Sequence, residues 1–170
     1  MKNNAIAIAN YFVDKASQEE NAPYPLTLLR LVKYVYISYG LAMAVLDEII
    51  LDDRFDKVEA WKYGPVIPSV YHSFKHNQNN PITEKASILA YEDSFGIMSF
   101  ETPTIKNESV KEILDFVWDE YMDCSITQLI DELHTESSPW GMYYQPGKNV
   151  EIPHRITKKY YELRLREAAC

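Results

Sequence analysis

Cysteine, glycine and basic residues are all scarce in this chain of 170 residues, and each scarcity removes a class of reading. Two cysteines, Cys124 and the final Cys170, make no disulfide framework, so a reducing cytoplasm is the simpler setting. With five glycines there is no Gly-x-Gly-x-x-Gly or Walker-type loop to cradle phosphates, and no Gly-x-Ser-x-Gly elbow for a nucleophile. Lysine and arginine number 17 against 25 acids, and the net charge of −8 opposes nucleic acid, whose phosphates require a basic surface. Such a balance suits a basic partner instead. No apolar run reaches the length of a membrane span. Leu41 to Leu46 comes nearest and is followed at once by Asp47 and Glu48, so no membrane partner is expected. The apolar start from Met1 to Ala9 is short, and Asp14 and Lys15 close it without a cleavage site for a signal peptide.

What is present reads as one ordinary globular unit. Hydrophobic residues at 46% and charged residues at 25% are normal values, and the length suits one buried core better than two, giving a single domain over 1–170. Ala5, Ile6, Ala9, Phe12 and Val13 recur at helical spacing and predict a first helix over 3–17. Thr27 is placed to cap a second, which is apolar on most sides through Leu28, Leu31, Val35, Tyr39 and Val45 and therefore central. Gly40 inside it would admit a close neighbour. Asn107 caps a helix striped by Val110, Leu114, Val117 and Trp118, and Ser125 with Gln128 forms a capping box with Cys124 as the staple before it. Ser138 with Pro139 starts a short turn bearing Trp140, and Ile152-Pro153 opens a last helix to about Glu167. Segments around Val58 and Gly96 to Phe100 are expected to pair as a small hairpin-like sheet. The fold class is mainly α (α+β), a single compact helical domain of about six helices with a small antiparallel β element.

The most informative string is Glu59-Ala60-Trp61-Lys62-Tyr63-Gly64-Pro65-Val66-Ile67-Pro68-Ser69-Val70-Tyr71. Gly64 accepts a positive φ, Pro65 fixes its own, and Pro68 suits a first helical turn, so the segment is a sharp corner between extended chain and helix. Trp61 and Tyr63 are held beside it. Two readings stand: a structural corner whose aromatics are core, or an aromatic surface that a partner grips. Trp and Tyr mostly bury their bulk, so the residues alone favour the first.

Ala60-Trp61-Lys62-Tyr63-Gly64-Pro65-Val66-Ile67-Pro68-Ser69-Val70-Tyr71 resembles the signature of the Panacea domain, an antitoxin family that includes SocA-like proteolytic adaptors and phage-associated GepA-like proteins. Further elements resemble the family in order: the aromatic helix from Leu28 to Tyr36, Leu133-His134-Thr135 with Pro139-Trp140, and Ile156 with Tyr160-Tyr161. Arg30 and Val32 depart from the family's Leu-Asn-Lys-Leu pattern in the early helix. The resemblance implies an antitoxin, not an enzyme, that neutralises a co-encoded toxin protein by direct contact. Delivery of the toxin to an energy-dependent AAA+ protease is the alternative within the family. The implied partner surface comprises Trp61, Tyr63, Val66, Ile67, Tyr71, His134 and Trp140, on a frame of Gly64, Pro65 and Pro68. Whether the chain forms a homo-oligomer stays open.

Other chemistry is poorly served. His72 and His76 lie one turn apart, but a zinc-protease motif needs Glu where Ser73 stands. Asp47, Glu48, Asp52, Asp53, Asp56 and Glu59 lack calcium-loop spacing and read as a solvated acidic face. A metal-dependent hydrolase built on these groups is the rival from another class. No catalytic, cofactor or metal residue is assigned. His134 ends its helix, either holding the Thr135 to Ser138 loop by hydrogen bonds or joining a polar-aromatic patch at the corner. Arg155, Lys158, Lys159, Arg164 and Arg166 make the last helix basic, and a DNA-binding autorepressor would have to use it. Glu162 and Glu167 dilute that charge, so binding to the protein's own acids or to a partner protein is preferred.

Overall fold

The computed structural model describes residues 5–52, 54–92 and 97–168. Asp53, Gly96, Cys170 and the start from Met1 to Asn4 lie outside the described residues. Seven α-helices are found among them: α1 (Ala5–Gln18), α2 (Leu28–Leu46), α3 (Pro68–Phe74), α4 (Glu108–Tyr121), α5 (Ile126–Leu133), α6 (Pro139–Tyr143) and α7 (His154–Ala168). Five short strands complete the fold: β1 (Glu59–Trp61), β2 (Gly64–Val66), β3 (Ile88–Glu92), β4 (Ile97–Glu101) and β5 (Val150–Glu151). The fold is thus mainly α with minor antiparallel sheet.

Helix α2 is the axis of the molecule. Fifteen of its residues are buried, and α1, α3, α4, α5, α7 and β2 pack around it. Its apolar length would suffice to cross a membrane, contrary to the expectation that no run is long enough. Yet 83% of that stretch is buried in the fold, which accounts for its apolarity as that of a core helix. Gly40 lets α7 lie against α2: a Cβ there would fall 2.1 Å from the Tyr161 ring. The departure at Arg30 is also explained. The residue is 3% exposed, and its guanidinium donates to Tyr121 O at 3.2 Å and Cys124 O at 2.7 Å, carbonyls at the end of α4 and in the turn that follows it.

Several local signals are met at their residues. Asn107 Oδ1 accepts from the Ser109 and Val110 amides, and Ser125 and Gln128 form the reciprocal capping box. Ser138 Oγ accepts from Gly141 N, with Pro139 first in α6. Thr27 stands at the N-cap of α2, but its side chain makes no capping bond.

The expected sheet is corrected. β4 pairs with β3, setting Leu89 opposite Phe100, whereas β1 lies between β2 and β5. Pairing across a short connection closes less chain than reaching back to Val58, and the weak pattern over Ile82 to Thr104 had concealed the β3 partner. Asn10, 1% exposed, fastens the foot of this second hairpin by donating to Ala86 O and Pro103 O and accepting from Ala86 N. Asp56 is a second correction. It belongs not to a solvated face but to the interior, accepting from Ala5 N, Asp52 N and Ser69 Oγ.

Candidate functional site

The Trp61–Pro68 corner is a tight hairpin running into a helix. β1 and β2 pair with Trp61 opposite Gly64, so Lys62 and Tyr63 form the two-residue turn. The bend thus lies two residues earlier than the Gly-Pro pair, which sits in β2. Gly64 has φ +103°, a conformation side chains resist, and Pro65 is tolerated because β2 is an edge strand with no further ladder to supply. Pro68 is the first residue of α3, as its missing N–H requires.

Beneath the corner lies a group that the sequence pattern had not singled out. Lys33 of α2 is fully buried, and its Nζ donates to Pro65 O at 3.1 Å. Burial without a carboxylate partner lowers its pKa to about 7. A Cβ on Gly64 would lie 2.7 Å from Lys33 Nζ and 3.1 Å from His134 Nε2, so the glycine leaves the room that both side chains use. A helix apolar on most sides gives no periodicity that says which way this lysine faces. Only the packing of the corner against it shows that it faces inward.

His134 joins this cluster. Its ring stacks on Trp140 at 3.8 Å and 3°, and Trp140 stacks on Tyr144 at 4.6 Å. Trp140 Nε1 donates to Trp61 O at 2.7 Å, which ties α6 to β1. Burial first, then the Lys33 charge, lowers the His134 pKa, with the Tyr63 backbone and Asp131 pulling the other way. Nε2 is buried with no hydrogen-bond partner of good geometry among the described residues. The Thr135 to Ser138 loop is held instead by Ser138, whose Oγ donates to Leu133 O at 2.8 Å. Of the two roles considered for His134, the geometry fits the patch at the corner.

The implied surface residues separate into two layers. Tyr63 is 56% exposed, and Trp61, Tyr71 and Trp140 are half-buried. Trp61 donates to Glu59 Oε2 at 2.7 Å and meets the Tyr71 ring edge-on at 4.9 Å. Val66 and Ile67, expected to be displayed, are 4% and 0% exposed. They form the underside of the corner because β2 is buried along its whole length and packs against α2. Beside Tyr63 opens a groove of about 410 Å³, floored by Leu28, Val32 and Val66 and walled by Trp61, Tyr63 and Tyr71.

Of the remaining candidates, His72 reaches the corner, its ring edge-on to those of Tyr71 at 5.4 Å and Trp61 at 6.5 Å. His72 and His76 are both exposed on the α3 side, and no three His, Cys, Asp or Glu side chains gather at a metal-sized site among the described residues. The Cys124 thiol pKa is raised, mainly by burial, which suits packing rather than attack. In α7, Lys158 pairs with Asp47 and Arg164 with Glu132 at 3.1 Å, so part of its charge meets the protein's own acids.

Comparison with known proteins places these features in a family. A family model described as antitoxin SocA-like, Panacea domain, matches residues 31–141, a span from Leu31 in α2 to Gly141 that holds Lys33, the corner, His134 and Trp140. Over 164 residues the chain is 28% identical to Antitoxin SocA of Caulobacter vibrioides (strain NA1000 / CB15N), covering 96% of this chain and 82% of that protein. No solved structure gives a significant match. The chain belongs to the antitoxin SocA-like, Panacea-domain family.

Proposed function

We propose that this protein is a non-enzymatic antitoxin whose single domain, acting in the cytoplasm, neutralises a toxin encoded beside it by direct contact at the aromatic corner. The observation that carries this reading is the two-layer construction of the corner. Tyr63 stands exposed beside an apolar groove, on a base made rigid by Lys33, Gly64, His134 and Trp140. Interfaces draw most of their energy from a few aromatic anchors, and a rigid support loses little entropy when they are engaged. The likeness to a protein named as an antitoxin supplies the functional class.

Co-expression with the product of the neighbouring gene tests the reading. The neighbour should arrest growth alone, and this protein should relieve the arrest. Tyr63→Ala should weaken relief while leaving the melting temperature close to the wild type. A neighbour that is harmless alone, or that stays toxic beside this protein, overturns the proposal. The half-life of the toxin, with and without the antitoxin, separates simple blocking from delivery to an AAA+ protease.

A further inference from the structure

The groove beside Tyr63 carries a local charge opposite in sign to the net charge of the molecule. Its walls come from two stretches, residues 21–46 and 60–83, that contain no aspartate or glutamate, although the chain carries 25 acids and a net charge of −8. Lys62 and Lys75 stand on its lining, both exposed. Lys62 Nζ lies 5.1 Å from the centre of the Tyr63 ring. Neither lysine is paired with a carboxylate among the described residues, whereas Lys15, Lys57, Lys85, Lys111 and Lys158 all are. The carboxylate nearest in sequence, Glu59, is engaged by the Trp61 indole. Gln78 and Asn79 add amide groups at the same edge.

From this pairing of an apolar floor with unanswered positive charge, we infer that the groove takes a peptide segment of the partner protein that presents a bulky apolar side chain flanked by carboxylates. The apolar residue fills the space over Leu28, Val32 and Val66. The carboxylates meet Lys62 and Lys75, which fix its register and exclude basic segments. A protein of strongly negative net charge repels acidic chains in general, so a groove with lysines and no acid on its lining favours their docking at that place. The identification of that partner with the toxin rests on the antitoxin reading; the chemistry of the groove does not.

The test uses the full chain and a random-peptide library displayed on phage, with Lys62→Glu/Lys75→Glu as the comparison protein. Both lysines are exposed, so the double variant should fold, which thermal melting checks. Enriched peptides should carry acidic residues around an aromatic or branched aliphatic one. They should bind the double variant at least about tenfold more weakly, and added salt should weaken their binding to the wild type. Enriched peptides without acids, or equal binding to the double variant, overturn the inference. So does sedimentation showing that the protein alone associates through these lysines, since the occupant would then be a second copy. In the co-expression assay the double variant should fail to neutralise the toxin. Full neutralisation by it removes the toxin from the groove and leaves the antitoxin reading intact. A harmless neighbour sinks that reading while the peptide result still decides the chemistry of the groove.

Discussion

Lys33 offers a quantitative check on the buried layer of the corner. In the unfolded chain its amine titrates near 10.4, whereas burial lowers the folded value to about 7. Between these limits the unfolded state binds one more proton than the folded state, so stability rises with pH by about 1.4 kcal/mol per unit. The contribution is complete above the unfolded pKa, falls as pH drops, and is gone below about 7. A window from pH 7.5 to 9.0 should show a gain of about 2 kcal/mol. That window lies above the range in which the lowered His134 pKa matters and below that of the raised tyrosine values. The raised Cys124 value acts with opposite sign toward its upper end, where the unfolded thiol ionises, but does so equally in a Lys33 variant and cancels in the comparison. Lys33→Met keeps most of the stem and deletes the amine. Chemical denaturation of both proteins at half-unit steps should give a wild-type slope steeper by about 1.4 kcal/mol per pH unit. Parallel profiles would refute the claim that this amine is neutral in the folded state.

Gly40→Ala should destabilise by about 1–3 kcal/mol, because the added methyl overlaps the Tyr161 ring of α7; thermal melting would read it, and an unchanged midpoint would contradict the close contact. Gly64→Ala should cost a similar amount, about 1–3 kcal/mol, from the positive φ and the crowding of Lys33 Nζ, again by melting. Trp140→Ala should cost roughly 3 kcal/mol in denaturant titrations, since it removes stacking on both His134 and Tyr144. Trp140→Phe, which keeps a ring but loses the bond to Trp61 O, should cost about 1 kcal/mol by the same titration.

The helices were legible because their signals are local. Asn107, the Ser125–Gln128 box and the Ser138-Pro139 start act on amides within three residues, so no distant part of the chain is needed to complete them. The central role of α2 was legible for a related reason: a helix apolar on most sides has nowhere to go but the interior. The corner was visible as a rigid element, although the pairing of Trp61 with Gly64 moves its turn to Lys62 and Tyr63.

The β3–β4 pairing was hidden because its strands have little apolar alternation, leaving Leu89, Met98 and Phe100 exposed. Strand β5 is two residues long and exists only because β1 offers it an edge. Burial of polar groups was the larger surprise. Asp56 read as part of a solvated face, and nothing local marked Arg30 or Lys33 as buried, because a charge normally stays in water unless something distant satisfies it. Carbonyls at the end of α4 and in the turn after it, a carbonyl in β2, and the amide of Ala5 are those distant partners. Local amide and apolar preferences therefore determined the helices, the class of fold and the stiffness of the corner. Contacts between residues far apart in the chain decided which side of the corner faces solvent and which charges lie beneath it, because the groups that answer a buried charge need not be its neighbours in sequence.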